Sequence, residues 1–168
     1  GGYLACGLVD DFSTLSALGK FALQVALAVA VFTPLLPADL RGNFLALAAL
    51  LLGLLYFVNA WNFMDGSNGM IAIQTLLIAL AVGTWPGQDA GLALAGLALA
   101  GACLGFLPLN FPTARVFLGD AGSLMLGYGI VWFAVELTQA PYNAGRRIPP
   151  VVMLWVVGVV LIDLLVVV

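Results

Sequence analysis

Long apolar runs separated by short polar clusters set the pattern of this chain. A helix rises 1.5 Å per residue, so about 20 apolar residues cross a bilayer's hydrocarbon core. Runs of that kind predict spans over roughly 18–36, 44–61, 70–85, 91–109 and 123–138, and a last one from Ile148 to the end. Residues 1–9 read as the tail of an earlier span. Breakers fall between the runs: Pro34 and Pro37-Ala38-Asp39, Trp85-Pro86-Gly87-Gln88-Asp89, and the segment from Pro141 to Arg147. The predicted fold is an all-α integral membrane protein, a polytopic helical bundle with about six transmembrane helices. The run over 91–109 is rich in Gly and Ala, which suits close helix packing in lipid.

Composition agrees. Of 168 residues, 64% are hydrophobic and 8% charged, too few charges to solvate the surface of a soluble domain of this length. With five Lys and Arg and a net charge of −3 there is no basic patch, so nucleic acid is not an expected partner. Cys6 and Cys103 both lie in apolar stretches and read as packed thiols rather than a disulfide. The chain opens Gly1-Gly2-Tyr3 without a signal pattern and closes inside an apolar run. It is therefore expected to be a single transmembrane catalytic domain, a fragment cut from a longer polypeptide at both ends.

Three polar segments stand out. The first is Gly7-Leu8-Val9-Asp10-Asp11-Phe12, followed by Lys20. Adjacent carboxylates at a membrane edge repel each other and lose hydration, so they call for a compensating cation. The second, Asn59 to Met70, sets Asn59, Asn62, Asp65 and Asn68 among turn-forming glycines. Its oxygen-rich side chains suit a hard cation or a polar ligand, although a plain turn uses the same residue types. The third, Asn110 to Ser123, holds Asp120 between Gly119 and Ala121-Gly122 just before a span. Helix amides there favour an anion, whether a phosphate or Asp120 itself; Asp120 or Ser123 could equally be an N-cap.

Each span reverses the side of the membrane. Even numbers of crossings separate Asp10-Asp11, Asp65 and Asp120, which places all three at one water interface. Lys20 and Arg115 lie on that side and Arg41, Arg146 and Arg147 on the other, so basic residues do not orient the protein. Acids, amides and cations gathered this way suit Mg²⁺-dependent phosphoryl transfer, where positioning and charge neutralisation carry catalysis.

The three segments resemble, in order and spacing, those of the polyprenyl-phosphate sugar-1-phosphate transferases. The resemblance covers nearly the whole chain through Gly-Leu-Val-Asp-Asp, Asn-Phe-Met-Asp-Gly and Arg-Val-Phe-Leu-Gly-Asp-Ala-Gly-Ser. It implies transfer of a sugar 1-phosphate, most readily an N-acetylhexosamine 1-phosphate, from a UDP-sugar to undecaprenyl phosphate. UMP is released at the start of cell-envelope polysaccharide synthesis. The implied setting is the bacterial inner membrane, with the site facing the cytoplasm and surrounded by membrane lipid; a homodimer is left open. Carried over by position, Asp120 and Asp65 would hold Mg²⁺, with Mn²⁺ as a substitute. Asp10 and Asp11 match the acidic pair that handles the lipid phosphate, with Asp10 as candidate base. Lys20 would steady a phosphate, and Asn62, Asn68 and Asn110 would contact substrate. Asn68 stands where many relatives carry Asp, and the family's His-containing loop has no counterpart, since the chain lacks His. Asp163 would lie toward the motif side and Glu136 toward the other. An ion-coupled transporter is the alternative, but it calls for midplane carboxylates and related halves, and neither is visible.

Overall fold

A computed structural model describes residues 16–36, 38–86 and 89–139. The expected last span, Asp163, Cys6, Asp10 and Asp11 lie outside the described residues.

Every regular element among the described residues is helical. Helix α1 (Ala17–Phe32) opens on Ser16, whose hydroxyl accepts the Gly19 N–H at 3.2 Å. It tightens into a 3-10 turn, Thr33–Leu35, at Pro34, where no backbone N–H is available to continue the ladder. A five-residue helix α2 (Ala38–Gly42) follows. Asn43 then accepts the Ala46 N–H at 3.2 Å and starts α3 (Phe44–Phe63). Behind α3 come a 3-10 turn, Met64–Gly66, and α4 (Met70–Thr84). Asp89 caps α5 (Ala90–Asn110), accepting the N–H groups of Gly91 at 2.7 Å and Leu92 at 3.2 Å. The last described helix is α6 (Gly119–Gln139).

Five helices thus stand where five spans were expected, with two differences. Among the described residues, three stretches are long and apolar enough to cross a membrane: Leu18–Leu35, Phe44–Gly66 and Ala90–Asn110. With 15 residues, α4 is about 22 Å long and falls short of the typical core thickness. The fifth helix begins at Gly119, four residues earlier than hydropathy indicated, because polar Asp120 belongs to its first turn.

Chain contacts divide the described residues into two compact units, 16–63 with 118–131 and 64–117 with 132–139. In the first unit, α1 turns a stripe at i+4 spacing inward, namely Gln24, Ala28 and Phe32. Phe32 stacks on Tyr128 of α6 with ring centroids 6.0 Å apart. Val58 and Trp61 of α3 are fully buried, and a Cβ on Gly127 would lie 3.3 Å from Val58 Cα. The small residue lets α3 and α6 approach.

In the second unit, α4 and α5 form an antiparallel hairpin. A Cβ on Gly96 would lie 2.7 Å from Gly83 N and 2.8 Å from Ala79 O, so backbone meets backbone there. Gly101 and Gly105 have open space where a Cβ would stand, so among these α5 glycines close packing belongs to Gly96. Cys103 is a buried free thiol among Leu76, Ala79 and Ala100. Val82, Leu92 and Phe133 close the far end of the hairpin.

Candidate active site

Each unit brings parts of different motifs together at one end of its helices. In the first unit, Lys20 near the start of α1 reaches Asp120 in the first turn of α6, Nζ to Oδ2 at 3.5 Å. Their side chains keep 40% and 34% of their exposure. A pair this exposed contributes about 0–1 kcal/mol to stability, so its consequence is where it holds two opposite charges. Beside it, Asn62 at the end of α3 meets Ser123 of α6, the hydroxyl facing the Asn62 side-chain oxygen. Ser123 Oγ also lies 2.8 Å from Gly119 O, one turn back. Ser123 is fully buried and sits inside the helix as a donor, so it is not an N-cap. The start of α1, the end of α3 and the start of α6 therefore share one end, as counting crossings requires.

In the second unit, the turn after Asp65 is clamped to the end of α5. Gly69 takes φ +73°, and its N–H donates to Asn110 Oδ1 at 2.8 Å. Asn110 Nδ2 donates to Val116 O at 2.8 Å, so one amide bridges the second motif and the return loop of the third. Only 3% of Asn110 is exposed. Each half of that amide keeps one further lone pair or hydrogen, so a ligand could be met without breaking the clamp. Asn68 Nδ2 donates to Pro112 O at 3.0 Å, a second tie between the same segments. Leu109 O accepts from Arg115 N–H at 2.8 Å and Val116 N–H at 3.2 Å, folding residues 111–116 back on the helix end. Asp65 lies in the turn Met64–Gly66, half-buried.

Of the residues singled out from sequence, Lys20 pairs with Asp120 and Asn62 with Ser123 in the first unit, while in the second Asn68 and Asn110 each tie the second motif to the third. Asp65 follows Asn62 by three positions along the chain. Sequence reasoning passed over Gln24 and the pairing of Asn59. Asn59 Nδ2 donates to Gln24 Oε1 at 2.7 Å and to Leu55 O at 2.7 Å. The signal was their spacing: Gln24 is four residues after Lys20, and Asn59 three before Asn62.

The described residues thus form apolar helices with carboxylate and amide motifs at their ends. Residues 2–138 match the profile of glycosyl transferase family 4, and the chain belongs to that family. It is 35% identical over 167 residues to a decaprenyl-phosphate N-acetylglucosaminephosphotransferase of Mycolicibacterium smegmatis, covering 84% of this chain and 41% of that protein. It is 28% identical over 190 residues to an undecaprenyl-phosphate alpha-N-acetylglucosaminyl 1-phosphate transferase of Escherichia coli, covering 96% and 50%. A Mycobacterium leprae decaprenyl-phosphate N-acetylglucosaminephosphotransferase is 36% identical over 146 residues, covering 72% and 36%. The chain spans half or less of the length of these relatives.

Proposed function

We propose that the full-length protein transfers an N-acetylhexosamine 1-phosphate, in the first instance N-acetylglucosamine 1-phosphate, from a UDP-sugar to a polyprenyl phosphate. Undecaprenyl phosphate is the acceptor assigned here, on the bacterial inner membrane with the site toward the cytoplasm. The observation that carries this reading is the union of three motifs in family order with the contact of Lys20 and Asp120. An exposed cation and carboxylate from two motifs meet at a helix start, where amide dipoles also favour phosphate.

In the net reaction, an oxygen of the lipid phosphate bonds to the sugar-bearing phosphorus. The bond from that phosphorus to the bridging oxygen breaks, and UMP leaves with the electron pair. Lys20 steadies a phosphate, and Asp10 is the candidate base for the acceptor. A phosphate monoester has a second pKa of about 6, so the acceptor is largely ionised near neutral pH and orientation outweighs proton removal. Asn68 and Asn110 fix the turn that carries Asp65 and supply amides for the nucleotide.

Carboxylate and amide oxygens, in a chain without His, are the donor types a hard cation takes. Among the described residues no three acidic, His or Cys groups come together, and Mg²⁺ needs only one or two carboxylates when water and substrate phosphate complete its shell. Asp120 and Asp65 would hold it, and the ion would neutralise charge on the pyrophosphate.

A labelling experiment tests the reaction type. UDP-N-acetylglucosamine labelled in the phosphate next to the sugar should pass its label to the lipid fraction, whereas label in the other phosphate should leave as UMP. Both labels remaining in the water phase would overturn the proposal.

A further inference from the structure

We infer that the amide pair Gln24–Asn59 is a positioning layer that sets Lys20 against Asp120 and Asn62 against Ser123. The inference deepens the transferase reading and rests on it for its consequence in turnover. Gln24 lies one helical turn below Lys20 on the inward stripe of α1 and is 5% exposed. Asn59 lies one turn below Asn62 on α3. Their contact at 2.7 Å therefore joins α1 to α3 one layer beneath the level where Lys20 meets Asp120 and Asn62 meets Ser123. The Tyr128 hydroxyl, on α6, lies 3.5 Å from the Gln24 backbone oxygen, so α6 meets α1 at the same residue.

Geometry separates this role from simple adhesion. Apolar contacts are non-directional and name no single partner, whereas an amide donor and acceptor match at one register. A slip of one turn would carry Lys20 about 5.4 Å along the axis, well beyond the reach of its present contact with Asp120. The Asn59 side chain is also held by Leu55 O at 2.7 Å, so its donor is aimed before Gln24 arrives. Neither amide carries charge or needs to touch substrate; both act through Lys20 and Asn62.

The experiment uses the full-length protein in detergent micelles, with two readouts. Site-resolved acylation by an amine-selective reagent reports the exposure of the Lys20 ammonium. Steady-state UMP release reports kcat and KM for UDP-N-acetylglucosamine. Asn59→Ala, at an exposed position, and Gln24→Leu should each speed Lys20 acylation toward the rate seen in Asp120→Asn. Each should lower kcat about tenfold or more with KM for the UDP-sugar little changed. The exchanged pair, Gln24→Asn with Asn59→Gln, restores the combined side-chain length and should recover both readouts.

Unchanged Lys20 acylation in Asn59→Ala would overturn the inference, as would a fall in unfolding midpoint with both readouts unmoved. If Lys20 responds as expected while the wild-type protein releases no UMP, the positioning layer stands and the transferase reading fails. If the wild type turns over and Lys20 does not respond, the reverse holds.

Discussion

Replacing Gly69 with Ala isolates what the second motif's turn demands of its backbone. Gly69 has φ +73°, and an L residue in that left-handed region costs about 1–2 kcal/mol. A Cβ there would lie 2.8 Å from Phe111 Cδ2 and 3.0 Å from Phe111 Cβ. The Phe111 ring is half exposed and can swing aside, but its Cβ moves only with the backbone, which adds about 1 kcal/mol. Any shift that relieves the overlap also stretches the 2.8 Å bond from Gly69 N–H to Asn110. The sum is about 2–3 kcal/mol of lost stability. Gly66, three residues earlier in the same motif, is an internal control. Nothing lies within 4 Å of its hypothetical Cβ, and its φ is negative, so Gly66→Ala should be neutral or stabilise by up to about 1 kcal/mol. The assay is unfolding of the full-length protein by SDS titration in mixed micelles. Equal stabilities for the two alanine variants would refute the argument.

Other consequences follow from the same contacts. Asn110→Asp keeps an acceptor for Gly69 N–H but sets a carboxylate against Val116 O, and should cost about 1–3 kcal/mol in the same titration. Gly96→Ala should weaken the α4–α5 hairpin by about 1–3 kcal/mol, because its Cβ meets backbone atoms that cannot turn away. Gly101→Ala on the same helix should leave the midpoint unchanged, and equal losses at the two positions would contradict the packing described here.

The helices were legible because lipid imposes one pattern: apolar runs of span length ended by Pro, Gly and polar residues. Pro34 and the segment from Trp85 to Asp89 marked boundaries that the structure keeps. The helix α6 starts earlier than hydropathy indicates because hydropathy counts Gly119 and Asp120 as loop, whereas Asp120 lies in the first turn of the helix. Crossing parity did correctly foresee that Lys20 and Asp120 would share an end, although it said nothing of their contact. The Gln24–Asn59 pair was hidden for another reason. It joins residues 35 positions apart, and single polar residues in apolar runs do not name their partners. Asn110 was read as a ligand contact, yet its first structural duty is to bond Gly69 and Val116, which only three-dimensional proximity discloses.

Turnover by the Asp120→Ala variant tests the central claim most directly. The full-length protein is given UDP-N-acetylglucosamine, undecaprenyl phosphate and Mg²⁺, and UMP is measured alongside the unfolding midpoint. The account predicts release by the wild type only with lipid and metal present, and none by a variant that remains folded. Release at the wild-type rate from Asp120→Ala would contradict it.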